Sequence, residues 1–219
     1  MLSLFVAKHH LKVRGGYGCF DEVIFLLIPK NMTHSDYVKR LSGTIGDNLV
    51  MKLCLKVPTL KAHYNDLIVK YWCLNEFTVR LDKGTTLPDG RFEHCNRRFD
   101  CMVLVVPSLS ALAQQWTFKV GIEVKASKSN LMKDNKIFDY LGWTDYFFVA
   151  TPSHLVKFAV ERFKDFPRIG VLSLDSGDIV KMPAWQDIST GRKLSIMEQA
   201  FYGYKVDALC GKEFRMLYK

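Results

Sequence analysis

The stretch Val120-Gly121-Ile122-Glu123-Val124-Lys125-Ala126-Ser127 constrains this chain more than any other feature. It is an apolar strand pattern interrupted by an acid and a base two residues apart. Side chains alternate along a strand, so Glu123 and Lys125 point to one side, and Val120, Ile122 and Val124 to the other. A carboxylate and an ammonium on a buried strand are costly unless something compensates, such as a metal ion, a ligand or a salt bridge. Taken alone, an E-x-K in a strand is more often a surface salt bridge than a site.

Asp100 repeats the theme one strand earlier. It opens the apolar run of Arg98-Phe99-Asp100-Cys101-Met102-Val103. If strands over 99–106 and 117–126 pair as a hairpin, Asp100 and Glu123 approach at the same end. Two convergent carboxylates make a hard oxygen site suited to Mg²⁺ or Mn²⁺. Such a cation polarises a phosphoryl oxygen and activates water. Lys125 would then orient the attacking water or stabilise charge developing on phosphorus. Glu76, in Cys73-Leu74-Asn75-Glu76-Phe77-Thr78-Val79, is a further acid within an apolar strand and a candidate accessory ligand.

The rest of the chain reads as alternating helices and strands. Residues 1–35 are hard to place, although Val23 to Ile28 forms a strand-like apolar run and Gly15-Gly16-Tyr17-Gly18 a hairpin turn. Periodicity predicts helices over 36–41 and 59–70, a strand over 72–81, and a turn-rich connection over 82–97. A helix over 130–141, capped by Ser129 or Asn130, is followed by a wholly apolar strand over 146–150. A helix over 155–163, a strand over 169–174 and a C-terminal helix over 189–204 complete the pattern. Apolar strands of this kind imply a sheet covered on both faces. The fold class is therefore α/β, a mixed central sheet flanked by helices, with an antiparallel hairpin feeding a later parallel crossover. The expected organisation is an N-terminal extension over 1–55 packed on the core, a core over 56–185, and a C-terminal helical segment over 186–219.

Composition narrows the partners. With 48% hydrophobic residues among 219, there is material for one sizeable core. The net charge of +9 favours a polyanion. Lys128, Lys133 and Lys136 crowd the E-x-K region and, with Arg98, are candidate nucleic-acid contacts. On the expected helix, Lys133 and Lys136 share a stripe with Tyr140 that would track phosphates, or would simply be a solvated face. None of the six cysteines forms a C-x-x-C pair, so no zinc site is indicated, and free thiols in a reducing cytosol are the expectation. No secretory signal or spanning segment is apparent, which leads to the expectation of a soluble cytoplasmic protein. No histidine stands out as a ligand.

Several motifs follow one another in a recognisable order. They are Glu76, Arg98-Phe99-Asp100, Glu123-Val124-Lys125-Ala126-Ser127, Asp134-Asn135-Lys136, Tyr140, and Asp145-Tyr146-Phe147-Phe148-Val149-Ala150-Thr151-Pro152. In this order and spacing the chain resembles the MmcB-like DNA-repair branch of the PD-(D/E)XK nuclease superfamily. The resemblance covers about 60–175 and is sharpest over 98–152. It implies a restriction-endonuclease-like core and a Mg²⁺- or Mn²⁺-dependent endonuclease hydrolysing DNA phosphodiester bonds, in repair or processing. By match, Asp100, Glu123 and Lys125 take the catalytic positions and Glu76 the accessory acid. Ser127, Asp134, Lys136 and Tyr140 take supporting ones. Asn130 departs from the pattern, since many relatives carry aspartate there. That departure keeps open a catalytically inactive nucleic-acid-binding module of the same fold. Many nucleases of the superfamily pair to cut two strands, so a homodimer is a further expectation.

Overall fold

The computed structural model describes residues 3–10, 21–28, 32–44, 47–63, 65, 67–88, 90–109, 114–115, 117–203 and 212–215. The expected turn at Gly15 to Gly18 lies outside them. Two strands, β1 (Ser3–His10) and β2 (Asp21–Ile28), pair antiparallel as a sheet of their own. Helices α1 (His34–Thr44), α2 (Asp47–Cys54) and α3 (Pro58–Ala62) follow. The main sheet then builds from β3 (Leu67–Thr86), β4 (Phe92–Leu109), β5 (Gln114–Gln115) and β6 (Phe118–Val124). Beyond β6 come α4 (Lys128–Lys133), a 3₁₀ turn (Lys136–Tyr140), β7 (Tyr146–Thr151), α5 (Ser153–Arg162) and β8 (Ile169–Ser173). The last elements are β9 (Ile179–Lys181), α6 (Thr190–Gly203) and β10 (Lys212–Arg215).

The strand order is β10-β3-β4-β6-β7-β8-β9, with β5 on β4, which makes eight strands in one mixed sheet. The pairs β3/β4 and β4/β6 are antiparallel, whereas β6/β7 and β7/β8 are parallel. Parallel neighbours need a crossover. Here α4 with the 3₁₀ turn, and then α5, supply the two crossovers. Tyr37, Leu41, Leu49, Leu53 and Leu60 of α1, α2 and α3 bury against one face, meeting Val120, Ile122 and Val124. Leu131, Tyr140, Leu155, Ala159 and Ile196 bury against the other, meeting Phe99, Phe147 and Val149. This is the α/β sheet with helices on both faces that the apolar strands imply. Each fully buried Leu, Ile or Phe contributes about 1.5–3 kcal/mol.

Two expected elements differ. Residues 59–70 do not form one helix. Pro58 starts a helix that ends at Ala62, and Leu67, Val69 and Tyr71 then alternate into the core as part of β3. Pairing with β4 wins over the near-helical spacing of the apolar side chains. The connection expected over 82–97 is mostly strand. The hairpin turns only between Leu87 and Arg91, where Leu87 N–H donates to Arg91 O (2.8 Å) and Gly90 takes φ 81°. Gly84 falls inside β3 beside a register shift, a usual place for glycine in a strand.

The β3–β4 hairpin changes face halfway along. Leu74 and Phe77 lie in the same apolar cluster although they are three residues apart, and so do Met102 and Phe99. Strict alternation forbids that. Glu76 resolves the conflict with φ 54°, a left-handed conformation rare for a side-chain-bearing residue. The register runs Asn75↔Cys101 and Phe77↔Phe99, so Glu76 stands opposite Asp100 at the inversion.

At the other end of β6, Lys119 N–H donates to Asp145 Oδ2 (2.8 Å) and Asp145 N–H to Lys119 O (2.9 Å). This reciprocal pair fixes β7 against β6 in register. Gly121 sets the packing between the two ends. A Cβ there would lie 2.5 Å from Phe99 Cε1 and 2.7 Å from Thr144 Cγ2. Gly121→Ala is therefore expected to lower unfolding free energy by about 1–3 kcal/mol through overpacking. Urea denaturation of the two proteins measures it.

Candidate metal and phosphate site

The site forms where β4 and β6 part. Their ladder ends at Cys101↔Ile122. One step further, Asp100 Oδ2 accepts the Val124 N–H at 2.7 Å, so a side chain replaces a backbone acceptor. Continuing that register sets Asp100 opposite Glu123, as the hairpin pairing requires. Both are only 8% exposed. Lys125, 6% exposed, leaves the ladder with its N–H on Ala150 O of β7 (2.9 Å). Its ammonium donates to Glu123 Oε1 at 2.8 Å and to Asp134 Oδ2 at 2.7 Å.

Asp134 reaches Lys125 because α4 stops early. Ser127 caps α4, its Oγ accepting the Asn130 N–H (3.3 Å). After Lys133 the chain becomes extended, with Asp134 at ψ 103°, and resumes as the 3₁₀ turn. The continuous helix expected over 130–141 is thus broken in two. Asp134 Oδ1 accepts the Lys136 N–H (2.8 Å), a local bond that competes with helix. Arg162 of α5 donates to the carbonyls of Leu131 and Asp134, satisfying the freed end of α4. The stripe of Lys133, Lys136 and Tyr140 consequently does not exist as one helix face. Tyr140 is buried, its ring 4.5 Å from Phe99 and its hydroxyl donating to Arg98 O (3.0 Å).

A cleft of about 580 Å³ opens beside Lys125 and Asp134. It is lined by His34 of α1, by Val124 and Lys125, and by α4 and its sequel: Asn130, Lys133, Asp134, Asn135 and Lys136. Lys133 and Lys136 therefore flank the cleft from separate segments. His34 was not anticipated. Its Nε2 lies 3.2 Å from Asp100 Oδ2, and the side chain is half-exposed. A Thr-x-x-Asp pattern, Thr33 to Asp36, marks the helix start and so the position of His34, but nothing in the sequence ties it to Asp100.

Other sequence candidates lie elsewhere. Glu76 does not join the group; its carboxylate is 61% exposed and sits 3.5 Å from Arg98 Nη1. Arg98 is held in that pair. Lys128 stands over the Phe158 ring at 3.9 Å, a cation–π contact facing α5. Arg97 binds Asp139 at 2.8 Å.

The electrostatics follow from two carboxylates sharing one buried ammonium, with the Asp100 charge beside Glu123. Burial, reinforced by the Asp100 charge, pushes Glu123 up to about 7 against the opposing pull of Lys125. Burial alone would lower Lys125, but Glu123 and Asp134 outweigh it and raise its pKa. Asp134 falls below the usual carboxylate range because Lys125 overcomes its partial burial. Tyr140 rises through burial and the nearby Glu123 and Asp100.

Each of the two strand carboxylates keeps one oxygen free among the described residues. Glu123 Oε2 is buried without a partner. Asp100 bonds through Oδ2, leaving Oδ1 open. No three His, Cys, Asp or Glu side chains among the described residues close into a ready-made metal cage. Two carboxylate oxygens facing excess negative charge fit a cation such as Mg²⁺, which takes one or two carboxylates and fills its shell with water and phosphate oxygens.

No family model and no curated protein matches the chain. A solved structure of a protein of unknown function from Silicibacter pomeroyi is similar over 67% of this chain and 88% of that one, at 20% identity and a TM-score of 0.36. Among the described residues no helix is long and apolar enough to cross a membrane.

The Glu123 shift gives a signed pH prediction. Between the ordinary value of 4.5 and about 7, the folded chain holds a proton that the unfolded chain has released. The stability this proton contributes is full below pH 4.5 and is lost as pH rises through 7. Glu123→Gln is expected to match the wild type near pH 4.5. At pH 8 it should melt higher, by roughly 2–4 °C for each kcal/mol recovered in a chain of this size. Thermal scans at both pH values test it.

Proposed function

We propose that this chain is a divalent-metal-dependent phosphodiesterase acting on nucleic acid, DNA foremost, built on a restriction-endonuclease-like core. The observation that carries the reading is the pair of uncommitted carboxylate oxygens, Asp100 Oδ1 and Glu123 Oε2, beside a buried, clamped Lys125. The order of the flanking motifs over 76–152 also supports it, and points to DNA repair or processing. Cys54, Cys73, Cys95 and Cys101 are in no disulfide among the described residues, which suits a reducing cytoplasm.

Asp100 and Glu123 would hold Mg²⁺ or Mn²⁺. When bound, the cation supplies Lewis-acid polarisation of a phosphoryl oxygen and a water of lowered pKa. The remaining chemistry belongs to the chain. Lys125 keeps its ammonium charged at neutral pH because Glu123 and Asp134 outweigh its burial. Asp134 and Glu123 aim that charge, so it is pre-organised for the anionic phosphorus centre and for the attacking water. Lys133 and Lys136 border the cleft and would receive the flanking phosphates.

Cleavage should be assayed on plasmid, linear duplex and single-stranded DNA with Mg²⁺ or Mn²⁺ and a chelator control. The wild type is expected to cut, and Glu123→Ala and Lys125→Ala each to lose about 10²-fold or more. No cutting on any substrate, with no metal heat by calorimetry, would favour the non-catalytic binding module. Affinity measured without metal across a salt series checks the phosphate contacts. The Lys133→Ala, Lys136→Ala double variant should flatten the log–log slope on duplex DNA by about 2. An unchanged slope would remove both lysines from the interface.

A further inference from the structure

We propose that His34 is a positioning residue of this centre, its imidazole holding the Asp100 carboxylate so that Oδ1 rather than Oδ2 is presented to the cation. The inference rests on the metal reading above. It begins with one oxygen. Asp100 Oδ2 accepts the Val124 N–H at 2.7 Å and lies 3.2 Å from His34 Nε2. Two donors on the same oxygen leave the other without one among the described residues. A carboxylate held by a single donor still turns about its last torsion. A second donor from a different element fixes the plane as well as the distance. An Nε2 that donates to Asp100 has no lone pair at that atom for a metal, so it acts through the carboxylate.

The helix is built to hold this contact. Thr33 N–H and Oγ1 donate to Asp36 Oδ2 at 2.9 and 2.7 Å, and Asp36 N–H returns a bond to Thr33 Oγ1 at 3.3 Å. This reciprocal cap fixes the first turn, where His34 is the first helical residue. One turn on, Tyr37, Val38 and Leu41 bury in the core cluster of the sheet. The start of α1 is thus pinned by its cap and its apolar face, while the His34 ring remains half-exposed in the cleft wall. Removing the ring costs little packing. Its loss should appear in the metal and not in the fold. Donors behind a ligating carboxylate are typically worth 10–100-fold in metal affinity.

Mn²⁺ is the probe, titrated into the full chain and followed by electron paramagnetic resonance, with melting temperature read in parallel. His34→Ala should weaken Mn²⁺ binding by roughly 10–100-fold at an unchanged melting temperature. His34→Gln, which offers an amide N–H at comparable reach, should recover most of it. Equal Mn²⁺ affinity in wild type and His34→Ala overturns the positioning role and leaves the metal centre standing. Nitrogen coupling to bound Mn²⁺ that vanishes in His34→Gln would make His34 a direct ligand and overturn it too. A wild type that binds no Mn²⁺, or binds it undiminished in Glu123→Gln, overturns the metal reading and this inference with it.

Discussion

Where β4 and β6 stop exchanging backbone bonds, the Asp100 carboxylate takes over and receives the Val124 N–H at 2.7 Å. Much of the site depends on that substitution. It ends the ladder without leaving a buried donor unpaired. It also fixes the acid against the strand that carries Glu123 and Lys125, so spacing between the charged groups is set by sheet geometry and not by a loop. Gly121, two residues earlier, lets the Phe99 ring and Thr144 close over the same strand. A rigid strand and a dense layer beneath it hold the charges to a narrow geometry.

The charges themselves work against the fold. Glu123 is pushed up to about 7 by burial and the Asp100 charge, and its Oε2 lacks a partner. Lys125 makes this tolerable by bridging Glu123 and Asp134. Buried ion pairs of this kind add little net stability, because desolvation offsets most of the attraction. A chain selected for stability alone would place apolar residues there. On the metal-dependent function proposed above, the arrangement is a site kept ready for a cation at some cost to the core.

The sequence made the centre of this arrangement legible because it uses local, periodic signals. The two-residue spacing of Glu123 and Lys125 maps directly onto the strand pleat, and Val120, Ile122 and Val124 do enter the opposite cluster. The parallel crossover from β6 to β7 follows from the apolar run over 146–150. What escaped needed long-range information. The break after Lys133 depends on Arg162, which lies 28 residues beyond Asp134 and caps carbonyls that a helix would otherwise occupy. The strand over 67–71 depends on its β4 partners, from Leu67 opposite Leu109 to Tyr71 opposite Val105, and the same pairing leaves Glu76 turned outward to Arg98. His34 meets Asp100 across 66 residues.

The left-handed residue at Glu76 gives the long hairpin two reading frames. On the inner side, Val69 and Tyr71 face α1 and α2; on the outer side, Phe77 and Val79 face the opposite layer. A length change of one residue in a regular strand would turn every later side chain inside out. Here the inversion is already absorbed at a single hinge next to Asp100. The outer arm therefore sends Phe77 and Val79 into the second layer without shifting the pairing of the inner half that carries Val69 and Tyr71.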